Sequence, residues 1–339
     1  MLPAFRMSPQ YTKTMQAILC KKYGAPSDLV LESLADPVAK AGEIVVRVQA
    51  AAVNFPDLLM IQNKYQHPPA LPFSPGYELA GIVETVGEEV ADIHPGDFGV
   101  AMIRHGAYAE RVAVPAARFW RIPRLDPTLA AAFPLAYGTS YHALVDGAAI
   151  QRGEWLLVLG AGGGVGYAAV QLGKLLGAKV IAAASSADKL AACRGAGADE
   201  IINYANEDLR AALKALRPDG VDVVLDPVGS QHAEPALRGL AREGRYLVVG
   251  FAGGEIPRVA LNLLLLKSAK VIGVAWDSFA RLHRDEARRH VEQLSAWITE
   301  GALRPRVSGV YPLEDVPRAL EQLMARQVIG KLVIRVEGR

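Results

Sequence analysis

The stretch Leu156-Leu157-Val158-Leu159-Gly160-Ala161-Gly162-Gly163-Gly164-Val165-Gly166 decides the fold. Its first four residues are a short apolar run of the kind a buried strand needs, and a glycine-rich turn follows. From Val165 to Leu176 the pattern is helical, and it stops at Gly177, as helices commonly do. In a strand–turn–helix of this kind the backbone can approach a pyrophosphate, whose charge is met by free N–H groups and the helix dipole. The spacing Gly160, Gly163, Gly166 varies the usual dinucleotide fingerprint, with Ala161 standing where a GxGxxG would begin. Glycines alone would serve equally for a tight turn under close helix–strand packing. The surrounding context favours nucleotide binding.

Strand-like runs recur downstream at Lys179–Ala184, Glu200–Ile202, Asp222–Asp226, Arg245–Gly250 and Lys270–Ala275. Helical stretches lie between most of them, at Asp188–Arg194, Glu207–Leu216, Glu234–Ala241 and Leu261–Leu266, with Asn206 placed to cap the second. Six runs alternating with helices predict an α/β fold with a doubly wound parallel sheet over 135–275. Upstream, residues 15–134 carry short β-branched runs (Glu43–Val48, Leu79–Val86, Tyr108–Val114) broken by Gly, Pro and Asp, which predicts a barrel-like all-β domain. The remainder, 276–339, reads as a helix over Asp285–Gly301, then Val307–Tyr311, Glu314–Ala325 and Lys331–Val336, returning to the first domain.

Composition narrows the function. A chain of 339 residues argues for two domains, and 51% hydrophobic with 21% charged residues is an ordinary globular balance. A net charge of +2, with both signs mixed along the chain, supports neither a nucleic-acid nor an anionic-membrane footprint. The richest apolar stretch, Val259–Val274, is interrupted by Asn262, Lys267 and Lys270, so no spanning helix is expected. The opening residues MLPAFRMSPQYTK lack an apolar signal region and read as an extension before the first strand, Gln16 to Cys20. Two cysteines, Cys20 and Cys193, fit a reducing compartment. A cytoplasmic enzyme is the expectation.

The end of the second strand chooses the nucleotide. An NAD site places Asp or Glu there to accept from the ribose 2′-OH. Here the residues are Ala183-Ala184-Ser185-Ser186, with Lys189 within reach, although a lysine is also at home on a solvated helix face. Hydroxyls and a cation without a carboxylate favour NADPH. Hydrolase chemistry is excluded: no GxSxG elbow exists, and Ser140 and His142 lie too close in a helical stretch to pair. His67, His94 and His105 read as loop histidines.

At this point the chain resembles a known family. The phrases PGYELAGIVETVG (75–87), AAVNFPDLLMIQNKY (51–65), GAYAERVAVP (106–115), GADEIINY (197–204) and GRYLVVGFAGG (244–254) are similar to the medium-chain dehydrogenase/reductase superfamily, in its zinc-free quinone oxidoreductase branch. The similarity covers Met15 to Val336. It implies a GroES-like barrel completed by the C-terminal segment, an inserted Rossmann domain, and a cleft between them. It also implies site residues. Asn54 falls beside the nicotinamide, and Thr139 where a threonine contacts the cofactor. Gly160, Gly163, Gly164, Val165 and Gly166 form the phosphate turn. Ser185, Ser186, Lys189 and Tyr204 surround the 2′-phosphate. Gly250 and Phe251 lie where backbone groups hold the carboxamide, and Lys331 near a residue that closes the phosphate site. Where zinc-dependent members keep metal ligands this chain has Asn54 and Gly76-Tyr77-Glu78, and the cysteine-rich loop is missing, so no metal is expected. A tyrosine that some quinone reductases carry is Leu59 here, whereas Tyr65 is retained.

The expectation is therefore an NADPH-dependent enzyme passing hydride to a quinone, with the Asn54 amide and Tyr65 or water meeting charge on the acceptor oxygen. An enoyl reductase acting on 2-alkenals or a short enoyl-CoA needs the same chemistry, and Arg104, Arg281, Arg284, Arg288 and Arg289 offer a basic patch for CoA. A non-enzymatic nucleotide-binding protein with a structural or RNA-associated role is a third reading. The last Rossmann strand, Lys270–Ala275, predicts an exposed sheet edge and a homodimer, unless the helix over Asp285–Gly301 covers it.

Overall fold

Runs of Val, Ile and Ala alternating with turn residues build two sheets. The computed structural model describes residues 14–66 and 68–336; His67 and the expected extension at 1–13 lie outside them. The first half holds β1 (Thr14–Leu19), β2 (Val30–Ala35), β3 (Glu43–Val53), β4 (Glu78–Val86), β5 (Phe98–Met102), β6 (Arg111–Pro115) and β7 (Phe119–Arg121). The middle holds β8 (Trp155–Val158), β9 (Lys179–Ala184), β10 (Glu200–Asn203), β11 (Val221–Asp226), β12 (Leu240–Val248) and β13 (Lys270–Gly273), and the end holds β14 (Val307–Pro312) and β15 (Lys331–Arg335).

β8 to β13 form one parallel sheet of order β10-β9-β8-β11-β12-β13. The order reverses between β8 and β11, and the glycine turn leaves the carboxyl end of β8 at this switch point, where open α/β sheets bind ligands. Strand alternation puts Leu156 and Val158 into one buried cluster and Leu157 and Leu159 into another. The first cluster is continuous with the barrel core of Ile44, Val46, Leu79 and Phe133, so the two domains share buried surface.

The barrel sheet runs β14-β15-β3-β4-β5-β7, with β6 on β3. β15 pairs antiparallel with β3, so the C-terminal segment supplies barrel strands. A parallel bridge between Gly163 and Gly330, with the Gly330 N–H donating to Gly162 O at 2.9 Å, ties the entry to β15 onto the glycine turn. Local expectations fail in two places. Leu240 and Ala241, expected to end a helix begun at Glu234, instead open β12 after the helix Ala233–Arg238 stops. The helix expected from Glu207 starts at Leu209 and is capped by Asp208, which accepts from the Ala211 N–H at 2.7 Å, not by Asn206. The Asn206 N–H instead closes a turn back to Asn203 O, ahead of the helix. Among the described residues no helix is long and apolar enough to cross a membrane.

Candidate functional site

The phosphate end comes directly from the glycine turn. Gly160 sits at φ +57°, and a Cβ on Gly166 would fall 2.3 Å from Gly160 O, so the turn closes only with glycine at both places. A Cβ on Gly163 would meet nothing nearer than Gly160 O at 3.4 Å, leaving open space over the turn. The helix Gly164–Leu175 begins here with Gly163 as N-cap and no side-chain cap. Its first-turn N–H groups, on Gly164, Val165 and Gly166, therefore have no side-chain acceptor at a helix end that favours anions. A pyrophosphate fits this cradle.

The next corner carries positive charge and hydroxyls. Ser186 caps the helix Ala187–Gly195 by accepting from the Lys189 N–H at 3.4 Å, and Tyr204 lies beside Ser185. Lys189 Nζ donates to Arg326 O at 2.7 Å, and burial together with the Arg326 charge pushes the Lys189 amine below its usual range. Arg326 in turn donates to Ala252 O at 3.0 Å, in the loop that begins with Gly250 and the half-exposed Phe251. Ser185, Ser186, Lys189, Tyr204 and Arg326 thus converge. Arg326 escapes sequence reading because a lone arginine in a polar loop carries no signal. Its left-handed φ of +57° and its contacts exist only in the folded chain.

The opposite end is a buried polar network. Asn54 precedes the helix Phe55–Ile61, and its side-chain amide donates to Ala52 O at 3.1 Å and to Glu78 Oε1 at 3.0 Å. Asn54 Oδ1 accepts from Lys331 Nζ, which also bonds Glu78 Oε1 at 2.9 Å. Glu78 Oε2 accepts from the Leu135 N–H at 2.6 Å, just before the helix Ala136–His142 that carries the buried Thr139. The geometry bears on two expectations. The Asn54 amide does not offer a donor to an acceptor molecule: both its hydrogens are spent, and flipping it would set its NH₂ against an ammonium. Lys331 lays its stem against Gly164, but its ammonium turns away from the turn into Asn54 and Glu78; the C-terminal cation beside Lys189 is Arg326.

Tyr65 is half-buried near the Tyr77 hydroxyl, the Asp277 carboxylate and the Arg104 guanidinium, and burial raises its phenol above the usual range. The Asp57 carboxylate, which feels the Lys331 charge, is also among the charges around Tyr65. Trp276, beside Asp277, donates to Pro134 O at 3.0 Å and packs against Gly138, next to Thr139. Asn54 and Lys331 are thus bonded together through Glu78 ahead of the helix that carries Thr139, and the glycine turn lies against the Lys331 stem. His94 lies away in a turn with Asp97, and His105 stacks edge-on with Phe73. Among the described residues no three His, Cys, Asp or Glu side chains are grouped to hold a metal.

Comparisons with known proteins agree with this architecture. A family model described as "Alcohol dehydrogenase GroES-like domain" matches residues 40–124, and one described as "Zinc-binding dehydrogenase" matches residues 164–296. The chain is 35% identical over 328 residues to quinone oxidoreductase-like protein 2 of Bos taurus, covering 96% of this chain and 93% of that protein. It is 32% identical over 330 residues to the quinone oxidoreductase of Sus scrofa, covering 95% and 98%. The crystal structure of Escherichia coli quinone oxidoreductase complexed with NADPH superposes with a TM-score of 0.89 at 32% identity, covering 94% of this chain and 99% of that one. The chain belongs to the quinone oxidoreductase branch of the medium-chain dehydrogenase/reductase superfamily, with a GroES-like barrel joined to a Rossmann domain.

Proposed function

We propose that this protein is an NADPH-dependent oxidoreductase that reduces a quinone without a metal ion. The observation that carries the reading is the buried Asn54–Glu78–Lys331 network. A cation already bridges the positions where zinc-dependent relatives keep ligands, and an amide and a tyrosine are poor partners for zinc. The Lys331 ammonium and the Glu78 carboxylate neutralise each other there, so a complete buried ion pair stands where those relatives keep metal ligands.

Bound NADPH supplies hydride, and the residues position and polarise. Gly160, Gly163, Gly164, Val165 and Gly166 would hold the pyrophosphate. Ser185, Ser186, Lys189, Tyr204 and Arg326 would hold the 2′-phosphate, where no carboxylate repels it. The backbone at Gly250–Phe251 and the side chain of Thr139 would border the nicotinamide. Asn54 acts through Lys331: it fixes the ammonium, while the Tyr65 hydroxyl donates to the acceptor oxygen. NADPH in the complexed E. coli relative supports the cofactor choice. Of the basic patch considered for CoA, Arg288 and Arg289 pair with Asp285 and Glu286 on their own helix.

The protein acts as a cytoplasmic homodimer in this reading, joined along β13. Two buried free thiols suit a reducing compartment, and β13 is a mostly exposed edge. The test is steady-state NADPH oxidation with a quinone, a 2-alkenal and a short enoyl-CoA. The quinone is expected to give the highest kcat/KM; a higher value for enoyl-CoA or alkenal would reassign the acceptor.

A further inference from the structure

Arg104 stands in the loop between β5 and β6 at φ +66°, and the His105 N–H donates to Ile103 O at 2.8 Å. Arg104 is therefore the central residue of a γ-turn with positive φ, a rare and strained form. Strain of this kind persists where the fold holds a side chain in a required place. Here the place is the acceptor end of the site. The Ile103 N–H donates to Tyr77 O at 2.8 Å, which fixes the loop beside Tyr77 and Glu78, and Arg104 lies among the charges surrounding Tyr65.

The charges around it do not cancel. Asp277, in the helix Trp276–Leu282, places Oδ1 2.8 Å from Arg118 Nη1 and Oδ2 3.7 Å from Arg104 Nη2. One carboxylate between two guanidiniums leaves one positive charge over. Arg118 is the closer partner and is largely buried, whereas the Arg104 side chain is 45% exposed. At 3.7 Å the Arg104 contact is beyond hydrogen-bond reach, and among the described residues Arg104 donates no side-chain hydrogen bond. Its planar fork of five N–H donors is available to a ligand.

We propose that Arg104 is an anion-recognition point beside Tyr65, and that the preferred acceptor is a quinone bearing a carboxylate. The inference rests on the reductase reading above. A planar guanidinium matches a carboxylate with two parallel hydrogen bonds. A single spare charge suits one anionic group.

The experiment compares NADPH-dependent reduction of a quinone carrying a carboxylate side chain with reduction of its methyl ester. The acid should show a kcat/KM about tenfold above the ester, the size of one charge-assisted contact. In Arg104→Gln that ratio should fall to about one. Raising ionic strength with the unaltered protein should shrink the ratio too, a readout that survives if the variant folds poorly. Equal kcat/KM for acid and ester, or a ratio that resists both salt and the substitution, overturns the anion site and leaves the reductase reading standing. Turnover of neither compound overturns both.

Discussion

Asp57 shows what burial does to a single group. It is sealed from solvent, and burial pushes its carboxyl up to about 7, against the pull of the Tyr108 hydroxyl at 2.7 Å, the Asn54 N–H at 2.9 Å and the Lys331 charge. Because the folded value lies above the unfolded one, the proton favours the native state. The associated stability is full below about pH 4 and is lost as pH rises through about 7. Asp57→Asn removes the titration. The stability of the unaltered protein relative to Asp57→Asn should therefore be about 1–3 kcal/mol greater at pH 5 than at pH 8. Thermal unfolding of both proteins at the two pH values checks this, and parallel profiles would contradict it. At this scale the sequence singled out Asn54 and Lys331 but not their bond. They lie 277 positions apart, and pairing at that separation leaves no local trace. Arg326 was missed for the same reason.

The glycine turn was legible as an element because strand, turn and helix follow one another within the chain. Its glycines are not equivalent, and that appears only in three dimensions. At Gly166 a Cβ would strike the backbone of Gly160 and Ala161, which cannot yield without moving the strand. Gly166→Ala should therefore lower stability by about 1–3 kcal/mol as well as weaken nucleotide binding. At Gly163 a Cβ points into open space where the pyrophosphate would lie, so Gly163→Ala should keep its melting temperature and lose NADPH affinity. Calorimetry with NADPH titration separates the two, and equal melting losses would refute the distinction. The cap of the helix Leu209–Leu216 was misread because Asn206 and Asp208 have similar capping propensity and only the path of the chain chooses between them.

The whole molecule was legible in its alternation of strands and helices, whereas its assembly depends on an edge that local pattern only suggests. β13 leaves Val271 exposed, and Leu261, Leu265 and Leu266 nearby are largely uncovered. The Val274 N–H bonds inward to Val248 O, so by alternation the Val271 N–H faces away from β12. Val271→Pro should remove an outward donor while sparing the inner ladder. Light scattering should give twice 36.3 kDa for the unaltered chain and 36.3 kDa for the variant; a dimer indifferent to the proline would move the interface elsewhere. The proposed reduction proceeds without a metal ion. Its most direct test is the initial rate of NADPH oxidation by one neutral quinone, measured before and after the protein is stripped with a chelator. Metal-free reduction should give the same rate in both samples. A rate abolished by stripping and restored by zinc would contradict it.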